Sequence, residues 1–366
     1  MLNSSESNDF KSLVLNKTPL IDVRAPIEFK KGSFPYSVNL PLITDEERHL
    51  IGIKYKNFGN EEAVMLGHKF VSGEVKEKRI KAWLDFKKDN PNAMLYCFRG
   101  GQRSKIVQEW ISEYIPEIIR LKGGYKAFRN YLMNEIDNSP KYFNPLILGG
   151  HTGSGKTILL KKIENSIDFE GLVNHRGSSF GKKITGQPSQ IDFENSLAYE
   201  LIQKVNKGFM NLLFEDEGKY IGSINIPKNL AEYLSQGSML VLETSFEERI
   251  SITFDEYILN AQKDYKKEFE EDYFVFWIND MQTAMKRIEK RLGSMRYKVL
   301  NELFIEALNF QNKKGSLEKY KNWIAYLLKE YYDPMYEYQL EKNKKKILLK
   351  GSSSVILDYL QTLKLP

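Results

Sequence analysis

The chain is short of cysteine: its 366 residues hold one, Cys97. A single thiol excludes an internal disulfide and a zinc site built from cysteines. Long apolar runs are missing as well. No stretch reaches the roughly 18 consecutive apolar residues of a membrane-spanning helix, so no membrane partner is expected. The opening MLNSSESNDF has no basic segment followed by an apolar one, and the expected location is therefore the cytoplasm. Charge of one sign is not gathered into a tail. It is interspersed, as in KKEFEED, which reads as a solvated helix face. Internal repeats and low-complexity linkers are also absent.

What is present is ordinary for a folded protein. Hydrophobic residues make up 42% and charged residues 28% of the chain, enough to bury a core. The net charge of +6 permits an anionic partner without requiring one. The length suits two or three domains at roughly 100–200 residues each. Two α/β patterns follow one another. PLIDVR (19–24) and NAMLYC (92–97) read as strands of the first, with WLDFKKDNPN as a helix tail closed by Asn90 and Pro91 between them. The loop FRGGQRS leads into KIVQEWISEY, where Ile106, Val107, Trp110 and Ile111 share one helical face. IIRLKGGYKAF reads as a further short strand and turn into a helix. Turn formers in NEIDNSPKYFN place a boundary near Asp137 to Tyr142. Then PLILGG, FMNLLFEDE and SMLVLETS read as strands of a second α/β unit. From about 246 to 330 the pattern is helical, with Trp277, Met281, Met285, Ile288 and Leu292 forming a core stripe. KKILLKG and SVILDYLQTL close the chain as strand and helix.

GHTGSGKT, Gly150 to Thr157, fits the G-x4-G-K-[ST] pattern and lies between a buried strand and a helix candidate, ILLKKIENS. In that setting the backbone N–H groups of Thr152, Gly153, Ser154 and Gly155 curl around a phosphate, and the helix start adds positive potential. Lys156 neutralises outer phosphate oxygens, and Thr157 is a candidate magnesium ligand. The partner acid is expected at the end of a later strand, where Glu215 and Asp216 are equal candidates. NHRGSSFG is a second phosphate-binding candidate. Arg176 suits bidentate phosphate contact, Gly177, Ser178 and Ser179 offer donors, and His175 offers a hydrogen bond or a proton site. Lys156, Arg176, Lys182 and Lys183 are candidates for a basic patch facing a polyanion such as RNA.

The loop LYCFRGGQRS puts Cys97 at a strand end just before a helix. Gly100 and Gly101 allow a tight turn with inward N–H groups, and Arg99 and Arg103 add positive charge. All of these favour thiolate over thiol. A thiolate there serves either as a nucleophile toward phosphate or as a carrier of a second chalcogen. The spacing Cys97-x5-Arg103-Ser104 fits both, although Tyr96 stands where a tyrosine phosphatase has histidine and no general-acid aspartate is identifiable. The loop alone leaves the two readings open.

The stretch IDVRAPIEFKKGSFPYSVNLP (21–41) resembles the front of rhodanese domains, which are sulfurtransferases with a cysteine-led loop. The loop here is one residue longer than the usual rhodanese spacing, which suits a larger anion. A rhodanese domain followed by a P-loop domain is a narrow combination. Together with DEERHLIGIKYKNFGNEEAVMLG, YCFRGGQRSKIVQEW, GGYKAFRNYL, GGHTGSGKT, NHRGSSFG, QPSQIDFEN, FEDEGKYIG and KRLGSMR, it makes the chain resemble, almost end to end, the bacterial tRNA 2-selenouridine synthases.

The resemblance implies a rhodanese-like parallel-sheet domain over residues 1–138. A P-loop NTPase-like α/β domain with a mainly helical C-terminal part follows over 139–366. It implies a transferase acting on wobble 2-thiouridine of tRNA. Sulfur is replaced by selenium from selenophosphate, through an S-geranyl intermediate made with geranyl diphosphate. Cys97, Arg99 and Arg103 are then the catalytic candidates, with Phe98, Gly100, Gly101, Gln102 and Ser104 completing a selenophosphate loop. Gly150 and Thr152 to Thr157 become the candidate diphosphate site, and His175, Arg176, Ser178 and Ser179, with the helical C-terminal part, the candidate tRNA contacts. No tightly bound cofactor is expected, and a selenophosphate synthetase is a candidate partner. The competing enzyme reading is a P-loop kinase or ATPase fused to a rhodanese or Cys-x5-Arg phosphatase-like domain. A non-enzymatic alternative is an RNA-binding module with a degenerate rhodanese fold.

Overall fold

The computed structural model describes residues 6–343 and 345–363. The chain packs as two units, Met1–Ser139 with Ser189–Lys207, and Pro140–Pro188 with Gly208–Pro366. In the first unit, strands β1 (Glu6–Ser7), β2 (Leu20–Asp22), β3 (Ser37–Asn39), β4 (Met94–Tyr96) and β5 (Ile119–Leu121) form one sheet in the order β1-β5-β4-β2-β3. Every pairing in it is parallel. A parallel sheet is covered on both faces, so its central strands are apolar without alternation. Accordingly all three residues of β2 are buried, and Leu95 and Tyr96 of β4 are fully enclosed. The two short edge strands β1 and β3 carry no sequence run long enough to reveal them.

Sequence reading assigns residues 139–366 to the second domain. One helix from that range, Gln190–Asn206, packs in the first unit instead. Its buried face carries Phe193, Leu197, Ala198 and Leu201. Polar contacts fix its register: the backbone N–H of Ser33 donates to Asp192 at 2.7 Å, and Arg129 pairs with Glu194 and donates to Asn195 at 2.7 Å.

The second unit contributes β6 (Asn144–Gly149), β7 (Ser166–Ile167), β8 (Asn211–Glu215), an antiparallel hairpin of β9 (Tyr220–Ile221) and β10 (Ile224–Asn225), β11 (Ser238–Leu242) and β12 (Ile347–Gly351). Its sheet runs β12-β11-β6-β8-β7, again wholly parallel. Helical structure extends past the expected limit, from Phe246 to Asn343. The stripe of Trp277, Met281, Met285, Ile288 and Leu292 is buried in that part's core, as periodicity implies.

One expectation is corrected. ILLKKIENS does not form a long helix after the Gly-rich loop; the helix covers only Lys156–Leu160. The Ser166 hydroxyl donates toward the carbonyls of Leu160 and Ile163, at 2.8 and 2.7 Å, and so satisfies acceptors that a continuing helix would have used. Five residues carry little macrodipole. What this loop offers an anion is therefore its N–H groups and Lys156.

Both Gly-containing loops leave the carboxyl ends of central parallel strands, β4 and β6. That is where open α/β sheets build ligand sites.

Candidate functional sites

In the first unit, Cys97 follows β4 directly and is 3% exposed. Its Sγ lies 3.2 Å from the Ser104 hydroxyl and 3.9 Å from the Gly101 carbonyl, inside the turn made by its own loop. The loop is held from behind. Tyr125 and Lys126, at the start of helix Gly124–Asn138, donate their N–H groups to the carbonyls of Cys97 and Phe98 at 2.8 and 2.9 Å. Arg120 donates to the Gly100 carbonyl at 2.6 Å. In a trans peptide the carbonyl of one residue and the N–H of the next point in opposite directions. Tying down those three carbonyls therefore aims the N–H groups of Phe98, Arg99 and Gly101 away from the anchoring helix. None of the three donates to a protein group among the described residues. They are a candidate anion-binding nest.

Gly124 makes this anchoring fit. It has φ +59°, and a Cβ there would lie 2.3 Å from the Cys97 carbonyl oxygen and 2.4 Å from the Gly100 nitrogen. Gly124→Ala is thus expected to destabilise the first unit by about 3 kcal/mol, through backbone strain and collision with the loop. Chemical denaturation would read this as a lower midpoint. An unchanged midpoint would mean that the close approach does not matter.

Arg103 and Arg99 differ in setting. Arg103 pairs with both oxygens of Glu28, at 2.6 and 3.1 Å, and Arg48 reaches the same carboxylate at 3.2 Å. Burial raises the Glu28 pKa, but the hydrogen bond and charge of Arg103 outweigh it, and the carboxyl lies below its ordinary value. Arg99 is exposed, with its guanidinium 5.9 Å from the centre of the Phe98 ring. The Asp-Val-Arg front acts as internal bracing. Asp22 and Arg24 form a fully buried pair, Arg24 donates to the Gly32 carbonyl at 2.8 Å, and Asn39 donates to the carbonyls of Asp22 and Arg24. Gln102 lies at the start of helix Gln102–Ser112, and Ser104 is fully buried within it.

In the second unit, the loop from Gly150 to Thr157 has left-handed glycines at Gly153 and Gly155. A Cβ on Gly153 would lie 2.4 Å from the Thr253 hydroxyl, so only glycine fits there. Lys156 Nζ donates to the carbonyls of Gly150 and His151 at 2.8 and 3.3 Å. Ser154 and Thr152 are held by their carbonyls, which accept from Thr244 and Arg249 at 2.9 Å each.

The structure separates the two acid candidates. Glu215 ends β8 beside Thr157, with 3.0 Å between its Oε1 and the hydroxyl. Asp216 faces the other way and pairs with Lys345 at 2.5 Å. Sequence reasoning missed a second acid, Glu170, which also lies 3.0 Å from the Thr157 hydroxyl and donates its backbone N–H to Glu215. It missed Glu217 as well. A Cβ on Gly177 would fall 2.4 Å from Glu170 and 2.8 Å from Glu217, which places the NHRGSSFG loop against this acid cluster. No spacing rule signals Glu170. Only the fold brings it 45 residues back to Glu215.

Burial, then mutual repulsion, raises all three carboxyls. Glu215 and Glu170 rise together, and Glu217 is pushed up to about 7 by burial and by Glu215. A carboxyl whose folded pKa exceeds its unfolded value keeps protons that the unfolded chain has released. Stability therefore falls as pH rises from about 4.5 to about 7. Glu217→Gln is expected to flatten that decline, with the variant gaining most over the parent above pH 7. Thermal melts across pH 5–8.5 would check it, and parallel curves for the two proteins would refute it.

The basic residues only partly assemble. Lys156, Lys161, Arg176 and Lys183 all act on Glu256. Arg176, Arg287 and Lys183 surround His175, whose pKa is lowered by burial first and by these cations second. Lys182 instead turns to Asp280 at 3.5 Å. Ser178 is engaged with the Tyr257 hydroxyl at 2.8 Å, on a widened helical turn at Asp255–Asn260, and Ser179 lines the same basic recess.

Comparison with known proteins agrees with both halves. Residues 6–131 match the family described as "Rhodanese-like domain", and residues 143–365 match "tRNA 2-selenouridine synthase AAA domain". Relatives named tRNA 2-selenouridine synthase match nearly end to end. The one from Sulfurovum sp. (strain NBC37-1) is 62% identical over 97% of this chain and 98% of its own. Those from Hydrogenovibrio crunogenus and Pseudomonas syringae pv. syringae are 46% and 42% identical, over 97% and 98% of this chain and 98% of each of theirs. No helix among the described residues is long and apolar enough to cross a membrane. With a cysteine-led anion nest on one parallel sheet and a G-x4-G-K-T loop on another, matched throughout at this identity, the chain belongs to the tRNA 2-selenouridine synthase family.

Proposed function

We propose that this protein converts wobble 2-thiouridine of tRNA to 2-selenouridine in two substitutions, one for each candidate site. In the first, the thiouridine sulfur attacks C1 of geranyl diphosphate. The S–C1 bond forms, the C1–O bond breaks, diphosphate leaves with its electron pair, and the base loses its N3 proton. In the second, selenium of selenophosphate bonds to C2 and the C2–S bond breaks. The geranyl thiolate leaves and takes a proton, and water cleaves P–Se to release phosphate. The alkyl group makes sulfur a better leaving species than bare sulfide.

The Gly150–Thr157 loop, with Lys156 and Arg176, suits the diphosphate. Thr157, Glu215 and Glu170 supply oxygen ligands of the kind a hard divalent cation takes alongside phosphate oxygens, and these residues would hold magnesium there. Such a cation would neutralise charge on the leaving diphosphate. The nest of Phe98, Arg99 and Gly101 N–H groups suits the selenophosphate anion. Lys183, Lys161 and Arg287 suit tRNA phosphates, so binding should weaken steeply with salt.

The observation that carries this reading is the Cys97 nest in a chain matched along its whole length by the family. Mass spectrometry of tRNA nucleosides, after incubation with selenophosphate and geranyl diphosphate, tests it. Omitting geranyl diphosphate should leave 2-thiouridine, and omitting selenophosphate should leave its S-geranyl form. ATP turnover without tRNA, and no selenated nucleoside, would favour the kinase or ATPase alternative.

A further inference from the structure

Between β3 and β4 the first unit carries three helices, of which the first two, Asp45–Phe58 and Asn60–Phe70, are joined at Gly59. The first holds Leu50, Ile51, Ile53, Tyr55 and Phe58, yet none of its residues is buried. Only Ile51 of these packs against the core, and Leu50, Ile53, Tyr55 and Phe58 are exposed, which is unusual because burying such a face is what normally stabilises a surface helix. The inner sides of the pair instead line a cleft of about 1010 Å³. This lies at the upper end of the range for small-molecule sites. Leu42, Ile43 and Val71 form its floor, and Ile51, Ile53 and Val64 its walls. Phe98, Gln102 and Arg103, the residues that follow Cys97, also line it. Charged residues line it too, among them Arg24, Glu28, Arg48 and Arg103, and Glu28 pairs with both Arg48 and Arg103 beside the Cys97 loop.

We infer that this cleft receives the hydrocarbon chain of the S-alkylated nucleoside during the selenium step. It would hold the leaving thiol's alkyl group while C2 of the base faces the Cys97 loop. The inference rests on the proposed function and assigns a site that the two-step reading leaves open. The chemistry of the occupant follows from the lining. Leu42, Ile43, Ile51, Ile53, Val64 and Val71 give an isoprenoid chain an apolar surface to pack on, and the paired charges of Glu28, Arg48 and Arg103 leave polar contacts for the nucleotide that carries it. The mouth has an aromatic ring, Phe98, 37% exposed and stacked on Tyr125 with centroids 6.0 Å apart, as a face for a base. Free geranyl diphosphate shares the chain but lacks the base, and the two are told apart by measurement.

The test uses the full-length protein and short RNAs bearing S-methyl-, S-dimethylallyl- or S-geranyl-2-thiouridine. Equilibrium binding is read by fluorescence anisotropy, without turnover. The geranyl RNA is expected to bind about 100-fold tighter than the methyl RNA, since each buried methylene adds to affinity. Val64→Trp fills the cleft and should remove most of that difference, by weakening geranyl-RNA binding far more than methyl-RNA binding. Val64→Ala, which enlarges it, should keep the geranyl preference and guards against a folding defect in the larger variant. Equal affinity for methyl and geranyl RNA, or a full geranyl preference in Val64→Trp, would overturn the assignment. Geranyl diphosphate competing off the geranyl RNA in the parent, and failing to bind Val64→Trp, would also overturn it, by making the cleft the donor's site. Failure of the proposed function reads differently. No 2-selenouridine would form from any RNA, whatever the binding preference.

Discussion

Cys97→Ser is expected to abolish conversion of S-geranyl-2-thiouridine RNA to its selenated form, by at least about 10³-fold, while leaving S-geranylation intact. The substitution is nearly isosteric. It keeps the Ser104 contact and the carbonyl anchoring by Tyr125, Lys126 and Arg120, so the nest survives. What it removes is a polarizable sulfur placed to steer the selenium of selenophosphate toward C2. Single-turnover nucleoside analysis with geranylated RNA would measure the loss. Selenation at the parent rate would sink the role for Cys97 and leave the N–H groups as the functional part of the loop. Glu28→Gln offers a graded comparison. It leaves Cys97 untouched but frees Arg103 and Arg48 from their shared carboxylate.

Lys156→Ala is expected to lower S-geranylation of 2-thiouridine RNA by about 10²–10³-fold, the range for losing one charge-stabilising donor from a leaving-group site. Lys156 donates to the loop carbonyls of Gly150 and His151, so it is already drawn over the cradle where a diphosphate would lie. Glu170 and Glu217, both raised carboxyls, lie near it, and removing the lysine leaves them without that cation. Selenation of RNA that is already geranylated should proceed unchanged, which separates this variant from Cys97→Ser. A variant that geranylates normally but binds tRNA poorly would instead make the loop a site for the RNA backbone.

The two variants draw on information of different kinds. The Gly-rich loop was legible because its chemistry is local. Successive N–H groups, a lysine and a threonine at fixed spacing are set by neighbouring residues, and the fold adds only the carbonyl contacts from Thr244 and Arg249. The Cys97 loop was half legible. Its glycines and arginines mark a candidate anion site, but the carbonyl anchoring by Tyr125, Lys126 and Arg120 comes from segments 20 or more residues downstream. Arg103 is another case, since sequence reading aimed it at the substrate and the fold pairs it with Glu28, 75 residues away.

By itself the sequence determined the two parallel-sheet units, the positions of both loops and the helical character of the C-terminal part. Strand burial, glycine turns and helical periodicity are all properties of neighbouring residues. Only the tertiary structure chose Glu215 over Asp216, brought Glu170 to Thr157 and Glu217 close to both carboxylates, turned Lys182 away toward Asp280, moved helix Gln190–Asn206 to the first unit and opened the cleft beneath Asp45–Phe58. Each of these depends on which surfaces meet across a fold. A carboxylate's neighbours, and the space under an apolar helix, are set by residues far along the chain whose approach no local pattern encodes.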